Sequence, residues 1–142
     1  MKLELFTLCD YARGEPTGKL YVIGVFDHVF APEAPVQMPP SAIASRLRFD
    51  QLEHGAHKVN VSFMDSDGAK VIPDIGLQMN IQLPPGESTV TANVVVMLPQ
   101  VSLPRFGEYS IDLTIDARHE GSLPLYVRRP PQTNQSQRQI SG

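Results

Sequence analysis

Tryptophan is missing from this 142-residue chain, and cysteine occurs once, as Cys9. A lone cysteine allows no internal disulfide, and a reducing compartment demands none, so the sequence predicts a cytoplasmic protein. Long hydrophobic runs are also missing. The apolar stretches are a few residues each, far below the roughly 20 that span a bilayer, and no membrane partner is expected. At the start, MKLELF offers no export signal, because Glu4 interrupts the apolar region and no small-residue cleavage site follows. Asn60 and Asn134 begin N-x-S sequons, which carry no meaning in a chain that is not exported.

Charge of one sign is scarce. Twelve basic and fifteen acidic residues leave a net charge of −3 and a pI near 5.7. A general nucleic-acid binder needs a basic face to neutralise several phosphates, so nucleic acid is not an expected partner. The one basic cluster, Arg128, Arg129 and Arg138, lies in or beside the segment RRPPQTNQSQRQISG. Its Pro, Gln and Ser content buries too little apolar surface to order it. The expected organisation is one domain over residues 1–128 and a disordered polar tail over 129–142.

Helical periodicity is absent as well, and the period that is present is two. Val59, Val61 and Phe63 alternate with Lys58, Asn60 and Ser62. Ile75, Leu77, Met79, Ile81 and Leu83 alternate with Gly76, Gln78, Asn80 and Gln82. Ile43, Leu47 and Phe49 do the same against Arg46, Arg48 and Asp50. With segments near 2–11, 19–30, 89–98, 107–117 and 122–127, this predicts about eight strands separated by turns such as EPTG, DSDG and PPGES. The predicted fold class is all-β, an antiparallel immunoglobulin-like β-sandwich. Most of the thirteen prolines fall in connections, and APEAPVQMPP at 31–40 reads as an extended link between the sheets. Gly24, inside LYVIGVFDHVF, marks a bulge or a close backbone approach.

The span FGEYSIDLTIDARHEGSLPLYV, residues 106–127, crowds Asp112, Asp116, Arg118, His119 and Glu120 together. Asp112 and Asp116 sit four apart on one strand, roughly 13 Å, beyond the roughly 5 to 9.5 Å of paired catalytic carboxylates. A hairpin with its turn over Ala117–Gly121 is the better reading. Pro124 cannot donate to a ladder, so the last strand is an edge or turns that position outward. Gly107 and Tyr109 resemble a tyrosine corner, whose phenol pins a crossing loop, a structural role.

Three stretches carry a family resemblance: ELFTLCDYA at 4–12, GKLYVIGVFDHVFAP at 18–32, and FGEYSIDLTIDARHEGSLPLYV. Together they resemble an uncharacterised family of small bacterial proteins, a domain of unknown function. That resemblance implies a single immunoglobulin-like domain, and it implies no activity, catalytic residues or cofactor.

Each candidate site has a bland competitor. DSDG at 65–68 lacks the remaining ligands of a calcium loop and reads as a turn using Asp67 and Gly68. His54 and His57 have no third zinc ligand close in sequence and read as solvated loop histidines. Cys9 becomes a nucleophile only with a base beside it, such as His28, and otherwise is a small buried hydrophobe. Asp10, Arg13 and Asp27, near the ends of the first two strands, are candidates for a binding rim, against a solubilising role. The outward amides Gln78, Asn80 and Gln82 suit a solvated face better than a sugar site. Only Tyr21 and Tyr126 are expected to face outward as stacking platforms. No metal or cofactor is expected, and no enzyme. A protein-interaction module comes first, with self-association through sheet edges as one form of it; a small-ligand or carbohydrate-binding module is the alternative.

Overall fold

The computed structural model describes residues 1–131. Its strands are β1 (Lys2–Gly14), β2 (Leu20–Val25), β3 (His28–Phe30), β4 (Val36–Met38), β5 (Ser41–Asp50), β6 (Gly55–Asp65), β7 (Ile75–Ile81), β8 (Thr89–Leu98), β9 (Val101–Leu103), β10 (Gly107–Ile115) and β11 (Arg118–Arg128). One turn of 3-10 helix, Gln51–Glu53, separates β5 from β6. Among the described residues no helix is long and apolar enough to cross a membrane.

The all-β expectation holds, with eleven strands among the described residues in place of about eight. The eight longer ones correspond to the segments read from the sequence. The additions, β3, β4 and β9, are three residues each, too short to show a period. One sheet has the order β2-β1-β5-β8 and the other β3-β11-β10-β6-β7, while β4 and β9 form a separate pair. Every pairing is antiparallel except β3 on β11. The five-stranded sheet is curled into a half-barrel.

The alternating pattern does what period two dictates. Ile43, Leu47 and Phe49 from β5 meet Val59, Val61, Phe63, Ile111, Leu113 and Leu125 from the other sheet in one buried core. Each large side chain so buried contributes about 1.5–3 kcal/mol. The β4/β9 pair adds buried Val36, Met38, Val101 and Leu103 to the same core. The β1 strand packs on β11 at Gly121, where a Cβ would come within 3.1 Å of Leu3 and Phe6.

Two boundaries differ from the sequence reading. The stretch 19–30 is two strands in two sheets: Phe26 still bonds to Leu8, while the Asp27 carbonyl accepts from Tyr126. The chain therefore crosses once at 26–27 and returns through 31–40. The β10–β11 turn is Asp116–Ala117 alone, and His119 to Gly121 already belong to β11. Both turn residues have positive φ, 52° and 64°, the left-handed pair that a two-residue hairpin turn requires. Pro124 lies where β11 has β10 on one side, ahead of the β3 pairing at Tyr126. Of the segment expected to be a tail, Arg128 ends β11, and Arg129 sits over the Phe106 ring at 4.7 Å with Nε donating to the Pro32 carbonyl. Residues 132–142, with Asn134 and Arg138, lie outside the described residues.

The β1 strand shapes everything that follows. Residues 2–9 pair with β5 and residues 9–14 pair with β2, so Cys9 alone is paired to both. Beyond Cys9 the chain doubles back. The Gly18 carbonyl at the hairpin tip accepts from Arg46 Nη1 at 2.8 Å and Asn93 Nδ2 at 3.0 Å, residues midway along β5 and β8. The β1–β2 hairpin is thus a flap over the outer face of its own sheet. Its underside, Ala12, Leu20 and Val22, packs on Cys9, Ala42, Ala44 and Val95. Small side chains let the two layers approach closely. A bulge near Glu4 aims its carboxylate at both Arg46 (3.2 Å) and Arg48 (2.7 Å), which fixes Arg46 for the tip.

Candidate functional site

With one side of the flap filled by Ala12, Leu20 and Val22, alternation sends the other side to solvent. There stand Tyr11, Tyr21 and Ile23, at 46, 41 and 59% exposure, while Val25, also exposed, follows the positive-φ Gly24 and is paired with Cys9. Register pairs Tyr11 with Ile23 and Arg13 with Tyr21, so these side chains are neighbours across the hairpin. The Arg13 guanidinium lies 5.2 Å from the Tyr21 ring centre and also bonds Glu15 at 3.1 Å, closing the patch with a polar rim. β2 is an outer strand of its sheet, with β1 on one side. The arrangement is an apolar surface beside an open strand edge, and it holds no group suited to covalent chemistry.

A second cluster surrounds His57, which is a β6 residue and not a solvated loop histidine. Its Nδ1 faces Asp116 Oδ2 at 2.6 Å and its Nε2 faces the Glu53 carbonyl. Both partners are acceptors, so both bonds form together only in the imidazolium. The Glu53 carbonyl foremost, and Asp116 after it, raise the His57 pKa against the opposing effect of burial. The Lys58 amide, then His57, holds the Asp116 carboxyl below its usual range. Asp50 caps the 3-10 turn, accepting from the Leu52 amide while Glu53 accepts from the Asp50 amide. Met1, Arg118 and Glu120 line the same shallow cavity. Because His57 spends both nitrogens on fixed partners, it has none left to act as a base.

The opening of β11 brings Asp112, Ser122 and His119 together in the wrong order for nucleophilic catalysis. Ser122 Oγ donates to Asp112 at 2.8 Å, so its contact with His119 Nε2 at 2.9 Å has the imidazole as donor. A triad needs the histidine between the two, taking the hydroxyl proton. Ser110 also donates to Asp112, at 2.7 Å, completing a surface network across β10 and β11.

The other residues singled out from the sequence fall in separate places. Cys9 is closed to solvent beneath the flap, its sulfur 3.5 Å from the Ala42 carbonyl, and burial pushes its thiol up. His28 is exposed and bonds Asp27 at 2.6 Å, its ring against Phe30 and Tyr126 at centroid distances of 5.6 and 5.0 Å. No hydrogen bond joins Cys9 to His28 among the described residues. Asp10 shares a shallow cavity with Pro39 and with His28, the partner of Asp27, whereas Arg13 turns to Glu15 and Tyr21 and does not join them. Gly24 has φ 73°, and a Cβ there would stand 2.3 Å from Asp10 Oδ2. Tyr109 is buried; its Oη donates to the Arg105 carbonyl at 2.7 Å and accepts from the Arg105 amide at 3.1 Å. Gly107, at φ 135°, opens β10 beside it. Asp65 Oδ1 accepts from the Asp67 and Ala69 amides and its Oδ2 from Arg105, so DSDG is held as a turn. Gln78 and Asn80 are exposed on β7. No group of three or more His, Cys, Asp or Glu side chains among the described residues is placed to hold a metal ion.

Sequence reasoning passed over Tyr11, Ile23 and Val25. Their signal was present in the doubled apolar alternation of 19–30, but which side faced the core depended on the bend at Cys9.

Comparison with curated proteins gives no match. A family profile described as "Family of unknown function (DUF6941)" matches residues 4–128, from the Glu4 bulge to the end of β11, and the chain belongs to that family.

Proposed function

We propose that this protein is a non-catalytic protein-interaction module that binds through the outward face and free edge of the β1–β2 hairpin. The observation that supports this is the exposed group Tyr11, Tyr21 and Ile23 on a hairpin whose opposite side is already filled. Contiguous apolar side chains left in water, rimmed by charge, are typical of interaction sites, and an open strand edge adds main-chain bonds to the same surface. The proposal places the chain in the bacterial cytoplasm, a setting that its single buried thiol suits. It also treats the fold as a curled variant of the immunoglobulin-like sandwich, for which the two-sheet core and the Tyr109 bonds to Arg105 speak. A small-ligand or carbohydrate site would need convergent polar groups in an enclosed pocket, and no observation favours it.

The test is binding with purified components. A partner retained by the wild type should be lost with Ile23→Lys and kept with Lys70→Glu, a change in the loop after β6. Equal binding by all three proteins would remove the hairpin from the proposal.

A further inference from the structure

We infer that His57 is a proton-operated latch on the 3-10 turn: when its imidazolium loses a proton, the ring keeps Asp116 and lets go of the Glu53 carbonyl, freeing the turn that carries Leu52. The latch is independent of the interaction-module reading and stands or falls separately from it.

A neutral imidazole has one N–H to share between two acceptors. Asp116 keeps it. The Asp116 carboxylate is charged, and the Lys58 amide fixes its other oxygen at 2.9 Å, so it holds the Nδ1 proton better than a neutral carbonyl holds the one on Nε2. The proton therefore leaves from Nε2, whose lone pair then faces the lone pairs of the Glu53 carbonyl. With the His57 side chain only 13% exposed, there is little access for a water to bridge the two acceptors. The carbonyl has to swing towards solvent, and Gln51–Glu53 moves with it.

The turn is poorly held by anything else. It contains no buried residue, and Leu52 at its centre is 95% exposed, the highest value among the large apolar side chains described. Its remaining bonds are short-range or peripheral: Leu52 and Glu53 to Asp50, and Gln51 Nε2 to the Glu87 carbonyl at 3.5 Å. The charged groups around the ring come from several elements. Lys58 belongs to β6, Asp116 to the β10–β11 turn, and Arg118 and Glu120 to β11, while the Glu53 carboxylate pairs with the Met1 ammonium beside the 3-10 turn. From β5, the Phe49 ring lies 5.0 Å from the imidazole and favours its charged form. The latch holds below the ordinary histidine value of 6.5 and opens as pH rises through the higher folded-state value.

The experiment is histidine-selective nitrogen NMR of the full chain, with hydrogen-exchange protection of the Leu52 amide followed over the same pH range. At low pH both His57 nitrogens should carry protons. Through the titration Nε2 alone should lose its proton, and Leu52 protection should fall about two- to tenfold with the same midpoint, the worth of one hydrogen bond. His57→Gln should make that protection independent of pH. Asp116→Asn should leave His57 titrating but let the neutral ring keep its proton on Nε2, so Leu52 stays protected throughout. Glu53→Gln retains the carbonyl while removing the Met1 ion pair, and His54→Gln removes the neighbouring imidazole; both should respond as the wild type does. A neutral wild-type ring protonated on Nε2, or Leu52 protection that ignores the His57 titration, overturns the latch. So does loss of the response in Glu53→Gln or His54→Gln.

Discussion

Nδ1 of His57 lies 2.6 Å from Oδ2 of Asp116, across 59 positions of sequence. The contact ties the start of β6 to the β10–β11 turn, and the Glu53 carbonyl on the other ring nitrogen ties in the 3-10 turn. His57 stabilises the fold as a cation with a raised pKa. Its contribution is fully present below its ordinary value of 6.5 and fades as pH rises through the higher folded-state value. Asp116, with a lowered pKa, works in the other sense: its contribution is present above 3.8 and is lost as pH falls through the lower folded-state value. The thermal midpoint should therefore decline as pH is raised from about 6 to about 9, and His57→Gln should flatten that slope. An identical slope in the variant would show that His57 is not the titrating group.

Ala117 occupies a left-handed position, φ 64°, in a turn that favours glycine there. An L-residue in that region costs about 1–2 kcal/mol, partly offset in a Gly variant by the entropy of the unfolded chain. Ala117→Gly should stabilise the protein by about 0.5–1 kcal/mol in denaturant unfolding. A lower midpoint would mean that the alanine methyl makes a compensating contact.

Tyr109 donates to and accepts from the backbone of Arg105, whose side chain reaches Asp65 at 2.8 Å. Tyr109→Phe should cost about 0.5–1.5 kcal/mol, the net worth of one hydrogen bond, and more if the Arg105 amide is left unsatisfied. An unchanged melting midpoint would refute the pinning role.

At Gly24 the backbone angle and the Asp10 carboxylate both exclude a methyl group. Gly24→Ala should destabilise by about 1–2 kcal/mol from the angle alone, with a further loss from the contact. Combining it with Asp10→Gly should recover the second part only, and a double-mutant cycle separates the two. Strict additivity would show that the aspartate simply moves aside.

How much of this was readable in advance varies by element. The cores of β6, β7 and β10 follow from strict alternation, since Val61, Leu77 and Ile111 all sit on the inward side of half-wet strands, whereas β5 alternates only from Ser45 onward and is buried on both faces before it. Alternation is silent about which sheet a strand joins, so the change of sheet between Phe26 and Asp27 left no trace in a continuous apolar segment. The Asp116–Ala117 turn was missed because alanine is no turn signal; Asp116 holds it through the Lys58 amide, a partner supplied by the folded structure. His57 could not be placed for the same reason. The flap left only a faint mark, the small residues Cys9, Ala12, Ala42 and Ala44, which have no meaning until the bend in β1 stacks them.

Cys9 stands where β1 changes partners, closed to solvent, and the sequence holds no other thiol. The molecule therefore carries its own clock for the flap. A thiol reagent can reach that sulfur only during moments when the hairpin lifts from Ala42 and Ala44, so the labelling rate counts those excursions one protein at a time. Whatever clamps the hairpin from outside would slow the clock, and a change that cuts Arg46 from the Gly18 carbonyl would make it run fast.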